Sequence, residues 1–215
     1  MTDTTIRHHL TDDLLAGYSS GTLPEAFSLV VATHVSLCDE CRARLGAFDA
    51  IGGALVAAAD AAPLADDCFE RTMARITGVV PAMSPVRAPG IFPAPLQDYV
   101  GGDADAVRWK NVGMGVRQAV LPVTDRASVR LLYIPAGAEM PDHGHRGREL
   151  TLVLQGAFRD GDGRYGRGDV EVADEETQHR PLAEAGEPCI CLAATDAPLR
   201  FRGWLPRIAQ PFVRI

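Results

Sequence analysis

The chain has 215 residues, 47% hydrophobic and 23% charged, enough apolar material for one large core or two small ones. Its net charge is −7, and residues 1–78 hold eleven acids against five bases, so this end repels nucleic acid and favours basic protein surfaces. No apolar run approaches the ~20 residues that span a bilayer, and the opening MTDTTIRHHLTDD lacks the basic flank and apolar stretch of a secretory signal. These features predict a cytoplasmic chain that engages neither membrane nor nucleic acid directly. In that compartment cysteines serve as thiols or metal ligands rather than disulfides.

Residues 1–78 read as helical. Thr11 suits an N-cap, with Asp12 and Asp13 in the first turn that follows and an end near Gly21. Pro24 opens a second helix, whose apolar side carries Phe27, Val31, His34 and Cys38 at steps of four, three and four. A third starts near Asp39 and runs through Leu45, Phe48, Ile51 and Val56, weakened by Gly52 and Gly53. After Asp66 and Asp67 a short fourth segment places Phe69, Met73 and Ile76 on one side. It is too short to hold alone, so it either completes a core or fills a partner's groove.

Five prolines (81, 85, 89, 93 and 95) mark residues 79–96 as a linker. From residue 97 the pattern turns to short strands near 119–123, 128–134, 150–154, 170–172, 189–192 and 199–201, separated by Gly, Pro and Asp turns. The fold class expected is a multidomain α + β chain: a small helical bundle over 1–78, a Pro-rich joint over 79–96, and an antiparallel β-barrel over 97–215.

Two constellations carry metal chemistry. His34, Cys38 and Cys41 form H-x3-C-x2-C, with the first two a turn apart on one helix face. An imidazole and two thiolates make three-quarters of a tetrahedral zinc shell, and His8 or His9 supplies the fourth donor of a closed structural site. Because such sites couple metal binding to folding, zinc removal is expected to unfold much of residues 1–60. In the second constellation His143 and His145 alternate, so on a strand they share a side, and Glu149 shares it too. His179 returns to the same interior across the barrel. Three imidazoles and a carboxylate suit zinc, manganese, iron or nickel. Cys68, Cys189 and Cys191 read as small buried hydrophobes.

The residues G-x5-H-x-H-x3-E-x6-G over 137–156 match the first motif of the cupin superfamily, and the stretch ending at His179 matches the second loosely. The N-terminal half resembles the zinc-binding anti-sigma domain, and the whole arrangement resembles the ChrR family of anti-sigma factors, in phrases such as IRHHL, AFSLVVATH, SLCDECRAR and DHGHRGRELTLVLQGAF. That resemblance implies that His9 rather than His8 joins His34, Cys38 and Cys41 on structural zinc. It implies that His143, His145, Glu149 and His179 hold zinc or another divalent transition metal. It also implies a group IV (ECF-type) sigma factor as partner. The fourth helix, through Phe69, Met73 and Ile76, would sit between the two sigma domains and block RNA polymerase. The cupin domain would be dispensable for inhibition but needed for release by singlet oxygen or related oxidants, acting through the 79–96 joint. On this reading the protein is not an enzyme and has no catalytic residues. The competing reading is a dioxygenase-like cupin enzyme with a helical adapter, since a His3Glu metal with an open position is a competent oxygenase site. A DNA-binding regulator lacks a basic recognition element.

Overall fold

Burial in the first helices follows their apolar spacing. In the computed structural model, which describes residues 5–77, 89–124, 127–144, 146–161, 163–197 and the backbone of 200–201, α1 (Asp12–Ser19) follows Thr11 and buries Leu14 and Leu15. Its end turns through Gly21 at φ +67°, a conformation that favours glycine. α2 (Glu25–Val35) begins behind Pro24 and buries seven of its eleven residues: Ala26, Phe27, Leu29, Val30, Val31, Thr33 and His34. A helix apolar on nearly every side needs neighbours all round. α3 (Asp39–Ala58), capped by Cys38, buries only Cys41, and α4 (Cys68–Thr77) buries nothing. α5 (Ala94–Val100) lies partly inside the segment expected as linker. It starts behind Pro93, ends on left-handed Gly101, and buries Leu96, as Phe92 is buried before it. Residues 79–88 of that segment, with residue 78 before it, lie outside the described residues.

The β half comprises β1 (Lys110–Gly113), β2 (Val116–Leu121), β3 (Ser128–Ile134), β4 (His143–Gly144), β5 (Glu149–Gln155), β6 (Ala157–Asp160), β7 (Gly163–Gly166), β8 (Val170–Ala173), β9 (Gln178–His179), β10 (Leu182–Ala183), β11 (Cys189–Thr195) and β12 (Arg200–Phe201). The main sheet runs β1-β2-β3-β11-β5-β8, with two three-stranded sheets, β10-β6-β7 and β12-β4-β9. Every strand pair among the described residues is antiparallel, as between β11 and its neighbours β3 and β5. The described strands of this antiparallel domain pair as three sheets around a cavity lined from both sides.

β11 shows how the two halves meet. All seven of its residues are buried. Cys191, Ala193 and Thr195 line the cavity, whereas the alternate Ile190, Leu192 and Ala194 join the same core as Leu14, Phe27 and Val30. Side chains alternate across a strand, so a strand covered on both faces reads apolar throughout. α2 lies against β11, β5 and β3. The segments expected as separate domains therefore share one core.

Candidate metal centres

His34 sits in the last turn of α2, and its ring is fully buried. Its Nδ1 lies 2.9 Å from the carbonyl oxygen of Gly168. A carbonyl only accepts, so Nδ1 carries the proton and donates. Burial, followed by smaller effects, lowers the His34 pKa to about 4, keeping the ring neutral. Nε2 is then left with a lone pair, buried and without a hydrogen-bond partner. His34, His9, Cys38 and Cys41 bring donor atoms within 4.8 Å of one another, and with Nδ1 committed to Gly168 the Nε2 lone pair is the one His34 offers. His9 Nδ1 is 3.3 Å from Cys38 Sγ and 3.7 Å from Cys41 Sγ. A tetrahedral zinc ion, about 2.3 Å from sulfur and about 2.0–2.1 Å from nitrogen, requires S···N edges of about 3.6 Å. The donor set fits zinc in type, spacing and closure.

The surroundings support that fit. Cys38 caps α3, and the Cys41 backbone N–H donates to its sulfur at 3.4 Å. Arg44 Nη1 lies 3.9 Å from Cys41 Sγ. Glu40 Oε2 is 3.3 Å from His9 Nε2, the carboxylate–histidine arrangement that fixes a ligating imidazole. Burial pushes the Cys41 thiol up to about 11, so its thiolate needs a cation, which a bound zinc supplies. His8 does not join this set. Its ring packs 4.2 Å from Tyr165 and its Nδ1 is 3.6 Å from Asp169 Oδ1.

The second group comprises His143 on β4, Glu149 on β5 and His179 on β9, with donor atoms within 4.8 Å of one another. β4 pairs with β9 so that His143 stands opposite His179. His145 lies outside the described residues. His143 Nδ1 donates to the Pro141 carbonyl at 2.8 Å, and His179 Nδ1 donates to Asp160 Oδ2 at 3.1 Å. Both Nε2 atoms therefore turn inward, 3.0 Å apart. Two lone pairs at that separation need a proton or a metal cation between them. Burial opposes charge on His179, but the Glu171 and Asp160 carboxylates outweigh it and raise its pKa. Burial lowers the pKa of His143 and pushes Glu149 up to about 7. The site opens onto a cavity of about 80 Å³ walled by Leu132, Ile134, Phe158 and Cys191 among others. A transition-metal cation with N/O ligands fits this donor set.

Asp160, Glu171 and His179 form a further donor group, and the two carboxylates were not read from the sequence. Glu171 alternates with buried Val170 on β8, so its inward direction follows only once the strand's inner face is known. Cys189 and Cys191 also face inward, with sulfurs 3.4 Å apart. Phe69, Met73 and Ile76 share the exposed side of α4, at 72%, 40% and 60% exposure.

A helical module with a Cys2His2 donor set, packed onto a cupin-like β domain with a second donor cluster, defines the class. Residues 97–197 match the family model described as the ChrR cupin-like domain. The anti-sigma-E factor ChrR of Cereibacter sphaeroides is 58% identical over 212 residues, covering 98% of this chain and 100% of that protein. The crystal structure of Rhodobacter sphaeroides SigE in complex with the anti-sigma ChrR matches with 57% identity and a TM-score of 0.80, covering 89% of this chain and 100% of that one. This chain belongs to the ChrR family of anti-sigma factors.

Proposed function

We propose that this chain binds an ECF-type (group IV) sigma factor and keeps it from RNA polymerase. The observation that carries the reading is the bare apolar face of α4: Phe69, Met73 and Ile76 contribute to no core and repeat at the spacing of groove-bound helices. A ChrR relative crystallised with SigE supports this choice of partner. Residues 1–78 act as the inhibitory module, with structural zinc on His9, His34, Cys38 and Cys41. The acidic surplus of this end competes for basic sigma surfaces. His143, His145, Glu149 and His179 hold zinc or another divalent metal in the cupin part, which serves release in response to singlet oxygen or related oxidants. The chain works in the cytoplasm as a regulator rather than an enzyme; among the described residues no helix is long and apolar enough to cross a membrane.

The test is coexpression with sigma factors of the same genome, isolation of the complex, and metal analysis. A one-to-one sigma complex carrying zinc on the cysteine site supports the reading. A metal-loaded protein that captures no sigma factor but consumes oxygen with a small molecule would replace it with the enzyme reading.

A further inference from the structure

The two histidines and the two cysteines of the N-terminal site are held by different parts of the molecule. The cysteines are local, one capping α3 and the other in its first turn. The histidines instead lean on the segment that leads into β8. His34 Nδ1 donates to the Gly168 carbonyl. The Val170 N–H donates to the His8 carbonyl at 3.1 Å. The Arg7 and His8 N–H groups both donate to Asp169 Oδ1, at 2.6 and 2.8 Å. The chain is thus clamped immediately before His9. Asp169 is buried, and its other oxygen accepts the Gly166 N–H at 2.8 Å. Gly168 has φ +91°, and a Cβ there would fall 2.6 Å from Ile6 Cδ1, so the close approach requires glycine. The segment is itself fixed to β5. Gly168 N–H donates to the Val153 carbonyl at 2.8 Å, and Val153 N–H to the Asp169 carbonyl at 3.1 Å.

We propose that residues 168–170 of the cupin part are positioning residues of the N-terminal zinc site, setting its affinity by orienting both histidine ligands. The inference rests on the reading that this site holds zinc. The Gly168 carbonyl selects the tautomer that offers Nε2 to the metal, and Asp169 fixes the backbone from which His9 projects. Removing such outer partners weakens metal binding without touching a ligand. Zinc affinity is therefore the quantity through which a displacement of β8 reaches the inhibitory module.

The experiment uses the full-length protein with cobalt as the probe. Its thiolate charge-transfer band, read in a Cys189→Ala/Cys191→Ala background that removes the thiols beside the cupin cavity, reports the site of Cys38 and Cys41, and zinc is titrated in to displace it. Gly168→Ala and Asp169→Ala are expected to weaken zinc binding roughly 10- to 100-fold. Asp169→Asn keeps Oδ1 for the Arg7 and His8 amides but sets Nδ2 against the Gly166 N–H, so it restores part of the affinity lost in Asp169→Ala, which separates positioning from misfolding. Glu25→Ala is the control. Its carboxylate accepts from Tyr99 and Thr124 at the opposite end of α2, and its loss leaves zinc affinity unchanged. Wild-type affinity in both Gly168→Ala and Asp169→Ala overturns the proposal, as does an equal loss in Glu25→Ala. A wild-type protein with no thiolate band overturns the zinc reading instead.

Discussion

Phe27→Ala tests whether the helical and β parts are one cooperative unit. Phe27 is 3% exposed, on a helix whose buried residues meet α1, α3 and α5 on some sides and β3, β5 and β11 on another. A buried Phe→Ala change costs about 3–5 kcal/mol, transfer and cavity together. In a chain of this size each kcal/mol lowers the midpoint by about 2–4 °C, so the expected shift is about 6–20 °C. Thermal unfolding is followed in two channels. Far-UV dichroism at the helix minimum weights the helical part. Tryptophan fluorescence reports the β part, because Trp109 and Trp204 both lie after residue 97, and Trp109 packs edge-on against Tyr133 at 5.9 Å. Both midpoints are expected to fall together. A fall in the helical midpoint with an unmoved fluorescence midpoint would refute the shared core.

Phe69→Asp and Met73→Asp should each weaken sigma capture by about 2 kcal/mol or more, roughly 30-fold, because groove anchors dominate such interfaces. Zinc content and thermal midpoint should not move, since both positions are exposed. Acid should loosen the contact between the halves. The Thr11 hydroxyl and then Arg148 hold Asp13 below the usual carboxylate range, and Thr124, with Tyr99, does the same for Glu25. Depressed pKa values stabilise the fold above the unfolded values of about 4, and that contribution is lost as pH falls through the folded ones. Urea midpoints against pH should drop on that limb, and less so in Asp13→Asn/Glu25→Gln. His143→Ala and Glu149→Ala should empty the cupin centre, leave sigma inhibition intact and block release under singlet oxygen; normal release in a transcription reporter would remove this metal from the pathway.

Much of the cysteine site was legible because its signal is local. H-x3-C-x2-C is a helix turn followed by a helix start, both readable from spacing. The choice between His8 and His9 was not readable that way, since neighbouring residues offer equal reach; it needed the family resemblance, and the structure turns only His9 toward the thiols. For α2 the spacing showed one apolar side, with Phe27, Val31 and His34, whereas the structure buries seven of its residues, and spacing says nothing about what covers them. Pro93 and Gly101 were start and stop signals for α5, hidden among linker prolines. Two-residue strands such as β4 and β9 carry no period at all, so the pairing of His143 with His179 emerged only from tertiary structure. Gly168 and Asp169 act on residues about 130 to 160 positions away, a relation no local pattern encodes. It also offers a route between the halves that bypasses the 79–96 joint.

The shared core changes what zinc removal should do. Sequence spacing alone predicted unfolding of much of residues 1–60. Yet α2 is held by β11, β5 and β3, and Leu10, Leu14 and Leu15 belong to the same core. From residue 42 to 77, by contrast, nothing is buried. Cys41 is the one fully buried residue of α3, with Leu45 and Phe48 half-buried against the same core, so the cysteine site and these two side chains secure the root of an arm that is exposed from there to α4. Beyond the packing of Leu45 and Phe48, α3 is tied to α1 by surface pairs, Arg44 to Asp12 and Ser19 to Asp49, which contribute little in water. Cys38→Ser should therefore leave α2 folded while loosening α3 and α4, whose remaining anchors are the half-buried Leu45 and Phe48, and sigma binding should be lost because the arm no longer has one direction. Hydrogen exchange separates the two pictures. Amides of α2 should stay protected while those of α3 exchange rapidly. Equal loss of protection in both helices would mean that zinc, and not the core, holds the helical module together, and retained sigma affinity in the mutant would mean that the arm needs no pinned root.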